Sequence, residues 1–360
     1  MRKSTGDART FALRERAADS LAEAGVDALL VTGAANIRYL TGFTGSNGLL
    51  VLLRRDSVFF TDPRYTLQAA RQVTAEVKIA KGALVPAAAE WLKKKRVGTV
   101  GFERNNIRYD QYETLAATLR VTPLTGVVER FRMVKSAAEI DRIRAAVRTN
   151  SAAFERALKA VKPGMTESAL AGLIEYRMRR LGADGPAFET IVAAGVNGAF
   201  PHARPGAARI GQGQLVLVDM GATLNGYTSD MSRMFHVGTP PGKVKKLYAA
   251  VLEAQLAALD AVRPGTTGGA IDAAARRVLK SARLGDAFVH STGHGLGLEI
   301  HENPRIGKKD KTRMEAGMAI TIEPGIYLEG WGGIRIEDTV VVTERGCEVL
   351  TPTGKELRVL

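Results

Sequence analysis

The sequence predicts an α/β (α+β) protein of two domains: an α/β layer domain over residues 1–130, then a second, pseudo-symmetric domain over 131–360. Three observations carry this. A chain of 360 residues exceeds one ordinary core. Short apolar runs alternate with helical periodicity as far as residue 118, the pattern of sheet and helix layers. Beyond that, one phrase recurs: V-K-P-G-M-T at 161–166 reappears as V-R-P-G-T-T at 262–267, 101 residues later.

In chain order, residues 8–24 space Phe11, Leu13, Ala17, Leu21 and Ala24 as a helix that Gly25 stops. Ala28 to Val31 is a short strand. N-I-R-Y-L-T-G-F-T-G-S-N-G then reads as a loop rich in Gly, Thr and Asn. Strands at 48–53 and 57–60 flank a polar turn, and Asp62-Pro63 starts a helix to Gln72. Strand 76–80, helix 84–95, strand 98–102 and helix 108–118 follow. Residues 121–135, with Pro123 and Gly126, read as a linker. Ala137 to Leu158 is a long amphipathic helix. In each copy of the echoed phrase a threonine suited to capping follows the Pro-Gly turn, a helix follows the threonine, and a Leu-Gly pair (181–182, 284–285) closes the helix. Pro-Gly-x-Thr is a common way to start a helix, but the matching order favours two similar halves with a cleft between them.

Composition narrows the function. Hydrophobic residues make up 45% and charged residues 24%, as in ordinary globular proteins. The stretch Met1–Thr10 is polar and lacks a secretory signal's apolar run, and no window reaches the roughly 18 apolar residues of a membrane span. One cysteine, Cys347, forms no intramolecular disulfide, which fits a reducing, cytoplasmic setting. The net charge of +14 is spread along the chain, without zinc-finger spacing or aromatic-basic interleaving, which argues against a nucleic-acid surface.

Chemistry gathers around H-S-T-G-H-G-L-G-L-E-I-H, where His290, His294 and His301 lie within twelve residues. Glycines 293, 295 and 297 allow close approach of backbone or ligand. Before this stretch, Q-L-V-L-V-D ends in Asp219 and G-Y-T-S-D ends in Asp230, the two read as paired strands of a hairpin. After it, A-I-T-I-E ends in Glu323, and G-I-R-I-E-D carries Glu337 at the end of an apolar strand. Each acid alone is a common strand-end residue. Four together would repel strongly in one pocket, and two divalent cations would cancel that charge. Oxygen-rich ligation with one imidazole suits Mn²⁺, Co²⁺ or Zn²⁺, and paired cations suit hydrolysis of a carbonyl compound.

The set D-M-G…S-D, H-S-T-G-H-G-L-G-L-E-I-H-E, T-I-E-P-G-I-Y and G-I-R-I-E-D resembles the metallopeptidases of the pita-bread fold, which include methionine aminopeptidase, aminopeptidase P and prolidase. Y-L-T-G-F-T-G-S-N-G and T-D-P-R-Y resemble the creatinase/prolidase-type N-terminal domain, which points to the Xaa-Pro peptidases. The resemblance implies Asp219, Asp230, His294, Glu323 and Glu337 as ligands of two metal ions, manganese first, with Asp230 and Glu337 bridging. It implies His202, His301 and Glu323 as catalytic residues, Glu323 carrying the proton, and His202, His290 and His301 as substrate-binding. Arg335 joins the substrate-binding set as a guanidinium that orients the acids, although a plain structural ion pair accounts for it equally. His236 matches no motif and reads as structural. The implied activity is removal of the residue before proline from peptide N-termini, with cleavage of Xaa-Pro dipeptides as the alternative and a catalytically silent binding module as the distant one. A homodimer and a proline-containing peptide substrate complete the expectation.

Overall fold

The computed structural model describes residues 5–360, so part of the polar stretch Met1–Thr10 lies outside it. The chain divides into two compact units, Met1–Arg132 and Met133–Leu360. No helix among the described residues is long and apolar enough to cross a membrane.

The first unit runs α1 (Thr5–Glu23), β1 (Ala28–Val31), α2 (Ala34–Thr41), β2 (Gly48–Leu53), β3 (Ser57–Thr61), α3 (Thr66–Gln72), β4 (Glu76–Ile79), α4 (Leu84–Lys94), β5 (Thr99–Glu103), α5 (Tyr109–Ala116), β6 (Arg120–Leu124) and α6 (Glu129–Met133). Its mixed sheet has the order β4-β3-β2-β1-β5-β6. The central strands are mostly apolar because both faces are covered: β1 and β3 are buried along their whole length, β3 with Ser57 and Thr61 at its ends.

Two expectations change here. The segment read as loop contains α2, which buries Ile37, Tyr39 and Leu40 and ends where Gly42 takes φ 76° and donates to the Arg38 carbonyl. The apolar i, i+3 pair at 37 and 40 sets the helix, and the glycine-rich turn begins only after its cap. The stretch read as linker contains β6, which pairs in parallel with β5 from Arg120 to Leu124. Pro123 is tolerated because β6 is an edge strand.

The second unit begins with α7 (Ala137–Leu158), whose first turn is closed by Glu139 accepting from Ser136 N at 3.0 Å. There follow α8 (Glu167–Arg180), β7 (Gly185–Pro186), β8 (Ile191–Ala194), β9 (Leu215–Met220), β10 (Ala222–Leu224), β11 (Tyr227–Thr228), β12 (Met231–His236), α9 (Gly242–Ala261), α10 (Gly268–Ser281), β13 (Gly293–Gly295), β14 (Glu302–Ile306), β15 (Ala319–Ile322), β16 (Gly325–Leu328), β17 (Gly332–Arg335), β18 (Asp338–Val342), β19 (Cys347–Val349) and β20 (Arg358–Val359). The main sheets have the orders β20-β12-β9-β8 and β14-β13-β15-β18-β19. Alternation along β9 serves two cores: Val216 and Val218 pack with α7 and α8, while Leu215 and Leu217 pack with α9, α10 and the second sheet.

The internal echo is structural. Thr166 and Thr267 cap α8 and α10 by accepting from Ala169 N and Ala270 N. Gly164 and Gly265, at φ 88° and 84°, donate to Ile210 O and Met314 O, each at 2.8 Å. Arg209 and Arg313 return to the carbonyls of those glycines at 2.7 and 2.8 Å. The helix ends differ from expectation. Gly182 takes the left-handed position in the first half, but Arg283, not Gly285, takes it in the second. The repeat keeps its 101-residue spacing in backbone shape without keeping the residue type.

A buried ion pair fastens the two sheets of this unit. Arg233 Nη2 lies 2.7 Å from Asp338 Oδ1, with the two side chains 2% and 0% exposed. Arg233 also donates to the carbonyls of Ser232, Glu337, Thr353 and Gly354. Asp338 Oδ2 accepts from Gln255 and Lys355. Removing one partner strands the other charge, so Asp338→Ala is expected to lower unfolding stability by about 3–5 kcal/mol in urea titration.

Candidate metal centre and peptidase site

The acids reach one place because two strand pairs deliver them. In the β9–β12 pair, Asp219 faces Ser232 in register, and Asp230 lies just before β12. The connection between them is itself a small hairpin: β10 and β11 pair around Asn225-Gly226, both at positive φ. In the β15–β18 pair, Ile322 faces Asp338, so Glu323 and Glu337 stand opposite each other just beyond it. Glu337 therefore lies just before β18 rather than closing β17.

His294 comes from β13, a short strand in what the sequence presented as a glycine-rich loop. Its glycines answer a backbone constraint. A Cβ on Gly293 would lie 2.0 Å from Thr321 O, and one on Gly295 would lie 2.3 Å from Asn303 O. They admit the flanking strands β15 and β14, and so serve the metal centre indirectly. A register shift between His294 and Gly295 interrupts the pairing with β14 at the histidine itself.

Asp230, His294 and Glu337 offer ligand atoms that all lie within 4.8 Å of one another. His294 Nε2 is 3.5 Å from Asp230 Oδ2 and 3.4 Å from Glu323 Oε1. Thr321 ties the last two together, accepting from His294 N at 3.0 Å and donating to Glu323 Oε1 at 3.1 Å. Asp219 enters through Arg335, whose Nη2 is 2.5 Å from Asp219 Oδ2.

Arg335 is 3% exposed, and every guanidinium nitrogen is engaged. Nε donates to Ser232 Oγ, Nη1 to Tyr327 Oη and the Pro201 carbonyl, and Nη2 to Asp219. Beside the substrate contact expected of Arg335, these bonds give it an organising role between the acid cluster and the His202 loop. Ser232 continues the chain, donating to Glu337 Oε2 at 2.8 Å. The sequence reading missed Ser232 and Tyr327. Tyr327 stands in the quoted P-G-I-Y and Ser232 follows Asp230 by two residues, the only signals available.

Three of the remaining histidines lie around this group. His301 stacks edge-on to His294, ring centres 4.3 Å apart. His290 has both ring nitrogens in use, Nδ1 with Ser291 O and Nε2 with Tyr327 Oη, each at 2.8 Å. Burial lowers the basicity of His290 and His301, which favours neutral imidazoles. His202 is exposed and borders an open cleft of about 430 Å³ shared with Glu167, Phe200 and Arg204. His236 is buried in β12 with Nδ1 on the Gly238 carbonyl, away from the cluster.

The charge arrangement fits divalent cations. Buried oxygens of Asp219 (Oδ1), Asp230 (Oδ1) and Glu337 (Oε1) have no hydrogen-bond partner among the described residues. Unpartnered buried carboxylate oxygens are costly. Burial first, then the neighbouring carboxylates, push Asp230 and Glu337 well above the ordinary carboxyl range. Burial opposes the charge on Arg335, but Tyr327 and the surrounding acids outweigh it and raise its basicity. Tyr327 is pushed up to about 12, mainly by burial.

A cluster of this kind, built from two pseudo-equivalent halves, defines a metal-dependent hydrolase. The chain belongs to metallopeptidase family M24: residues 141–344 match that family, and residues 14–134 match the creatinase/prolidase N-terminal domain. An Xaa-Pro dipeptidase of Pyrococcus furiosus is 36% identical over 338 residues, covering 93% of this chain and 96% of its own. An Xaa-Pro dipeptidase from Bacillus anthracis superposes with a TM-score of 0.95 at 38% identity, covering 98% of this chain and 100% of that one. An X-Pro aminopeptidase from Thermotoga maritima superposes with a TM-score of 0.87 at 35% identity, over 93% of this chain and 98% of its own.

Two outcomes follow from this geometry. Gly293→Ala drives a methyl group into the Thr321 carbonyl, so the variant is expected to lose about 1–3 kcal/mol in thermal or urea unfolding. The second concerns pH. Asp230 and Glu337 are raised in the folded protein and ordinary in the unfolded chain. The folded protein then holds protons that the unfolded chain releases, and their contribution to stability falls as pH rises from about 4 through the raised values. Urea midpoints with chelator should show this decline relative to an Asp230→Asn/Glu337→Gln variant. An identical pH profile for the two proteins would contradict it.

Proposed function

We propose that this chain is a metal-dependent Xaa-Pro peptidase, with two divalent cations held by Asp219, Asp230, His294, Glu323 and Glu337. The observation that carries the reading is the set of unpartnered carboxylate oxygens buried beside His294. Two cations would supply the missing positive charge; bound there they lower the pKa of water and polarise the scissile carbonyl.

The chain's own residues do the rest. Glu323, steadied by Thr321, holds a proton and passes it toward the departing proline nitrogen. His301 and His202, on exposed segments beside the cluster, donate to the substrate carbonyl as charge develops there. His290 shapes the substrate side through its ring, because its nitrogens are occupied by Ser291 and Tyr327. Arg335 pairs with Asp219 and holds Ser232 against Glu337.

The preference for proline is supported by the named activities of the relatives. Sequence reading favoured the aminopeptidase, which the Thermotoga maritima protein supports; the two dipeptidase relatives support the dipeptide reading. A dipeptidase gains from a cation that meets the substrate's free carboxylate, and Lys308, Lys309, Lys311 and Arg313 are close together in the sequence. Arg313 is already tied to the Gly265 carbonyl, which leaves Lys308, Lys309 and Lys311. Manganese as the preferred cation, a homodimer and a cytoplasmic setting complete the proposal, the first two supported by the family resemblance and the last by the single cysteine.

The test is a release assay with Mn²⁺-loaded protein on Ala-Pro, Ala-Pro-Ala and a longer Xaa-Pro peptide. Cleavage of the longer substrates supports the aminopeptidase, and cleavage of Ala-Pro alone selects the dipeptidase. No cleavage of any of them overturns the proposal. Chelation should abolish activity, and Asp230→Asn or His294→Ala should lower kcat/KM by more than about 100-fold.

A further inference from the structure

The two halves of the second unit share a device that the reaction residues do not explain. On the first turn of α8, Glu167 is 1% exposed. It accepts from Ala194 N at 2.7 Å, Asn197 Nδ2 at 2.9 Å and Gly206 N at 3.1 Å, bracketing the segment that carries His202. On α10, Asp272 is fully buried. Its Oδ1 accepts from Thr292 N at 3.1 Å and Thr292 Oγ1 at 2.9 Å. Each helix thus sends one buried acid into the segment that bears a site histidine.

The second case reaches further. Arg276, one turn along α10, grips Asp272 with Nε at 2.6 Å and Nη2 at 3.2 Å. The same guanidinium donates to the carbonyls of Phe288 and His290. Thr292 O in turn accepts from Glu323 N at 2.7 Å. Two side chains of one helix therefore hold the backbone on both sides of Ser291, and one further hydrogen bond connects them to Glu323. Arg276 alone would satisfy the buried charge of Asp272; the two bonds to Thr292 are additional and directional. Groups that fix the backbone behind reacting side chains set their geometry, and loosening them costs rate without touching substrate.

We propose that Asp272, gripped by Arg276, is a positioning residue for the reaction: it fixes Thr292 and through it Glu323, while Arg276 fixes His290. This rests on the peptidase reading above. Asp272→Asn and Thr292→Val are expected to lower kcat about 10–100-fold with KM within about two-fold, and Thr292→Ser, which keeps the hydroxyl, to restore most of it. In hydrogen exchange of the whole protein, Asp272→Asn should speed exchange over 290–294 and at Glu323 while leaving 194–206 unchanged. Leu279→Ala, a buried change on the same helix, serves as the stability control. Assayed well below its unfolding midpoint, it should keep wild-type kcat. Wild-type kcat in Asp272→Asn, an equal loss in Leu279→Ala, or unchanged exchange over 290–294 overturns the inference. If the wild-type protein cleaves no Xaa-Pro peptide, the peptidase reading falls, and the exchange comparison still decides whether Asp272 fixes this segment.

Discussion

Four carboxylates converging on one buried place govern this protein. Asp219, Asp230, Glu323 and Glu337 would destabilise the fold if left ionised and unaccompanied, since burial and mutual repulsion act in the same direction. Among the described residues, Arg335 offsets them directly, through Asp219. The remaining deficit is what divalent cations are suited to fill. The same deficit makes the site a place where metal binding and proton release are linked.

The surrounding architecture holds that charge in place. Paired strands set the register of the acids, and β13 brings His294 between β14 and β15 only because Gly293 and Gly295 have no side chain. Arg335 connects Asp219, Ser232, Tyr327 and the Pro201 carbonyl, so the acids, the His290 contact and the His202 loop share one guanidinium. Behind them, Arg233 and Asp338 bind the strands of the two sheets to each other and to the C-terminal segment. Polar networks of this kind favour one geometry because their hydrogen bonds are directional.

Much of this was legible in the chain. Apolar strands leading to an acid, the histidine–glycine alternation and the Pro-Gly-x-Thr echo are local signals with direct structural causes. Other features left weaker traces. Helix α2 is only eight residues long and sits beside a glycine-rich turn, so the turn chemistry masked it. Strand β6 contains a proline that only its edge position excuses. Ser232, Tyr327 and Asp272 are ordinary residue types whose importance comes from partners far along the chain.

The sequence by itself marked the candidate residues for the chemistry and the two similar halves that would present them, because capping, strand periodicity and ligand type are properties of short segments. The tertiary structure decided which acids share a partner, why the glycines are needed and where Arg335 spends its donors. Those depend on the distance between segments separated by tens to hundreds of residues. Such distances are set by register and packing and are not encoded in any one stretch.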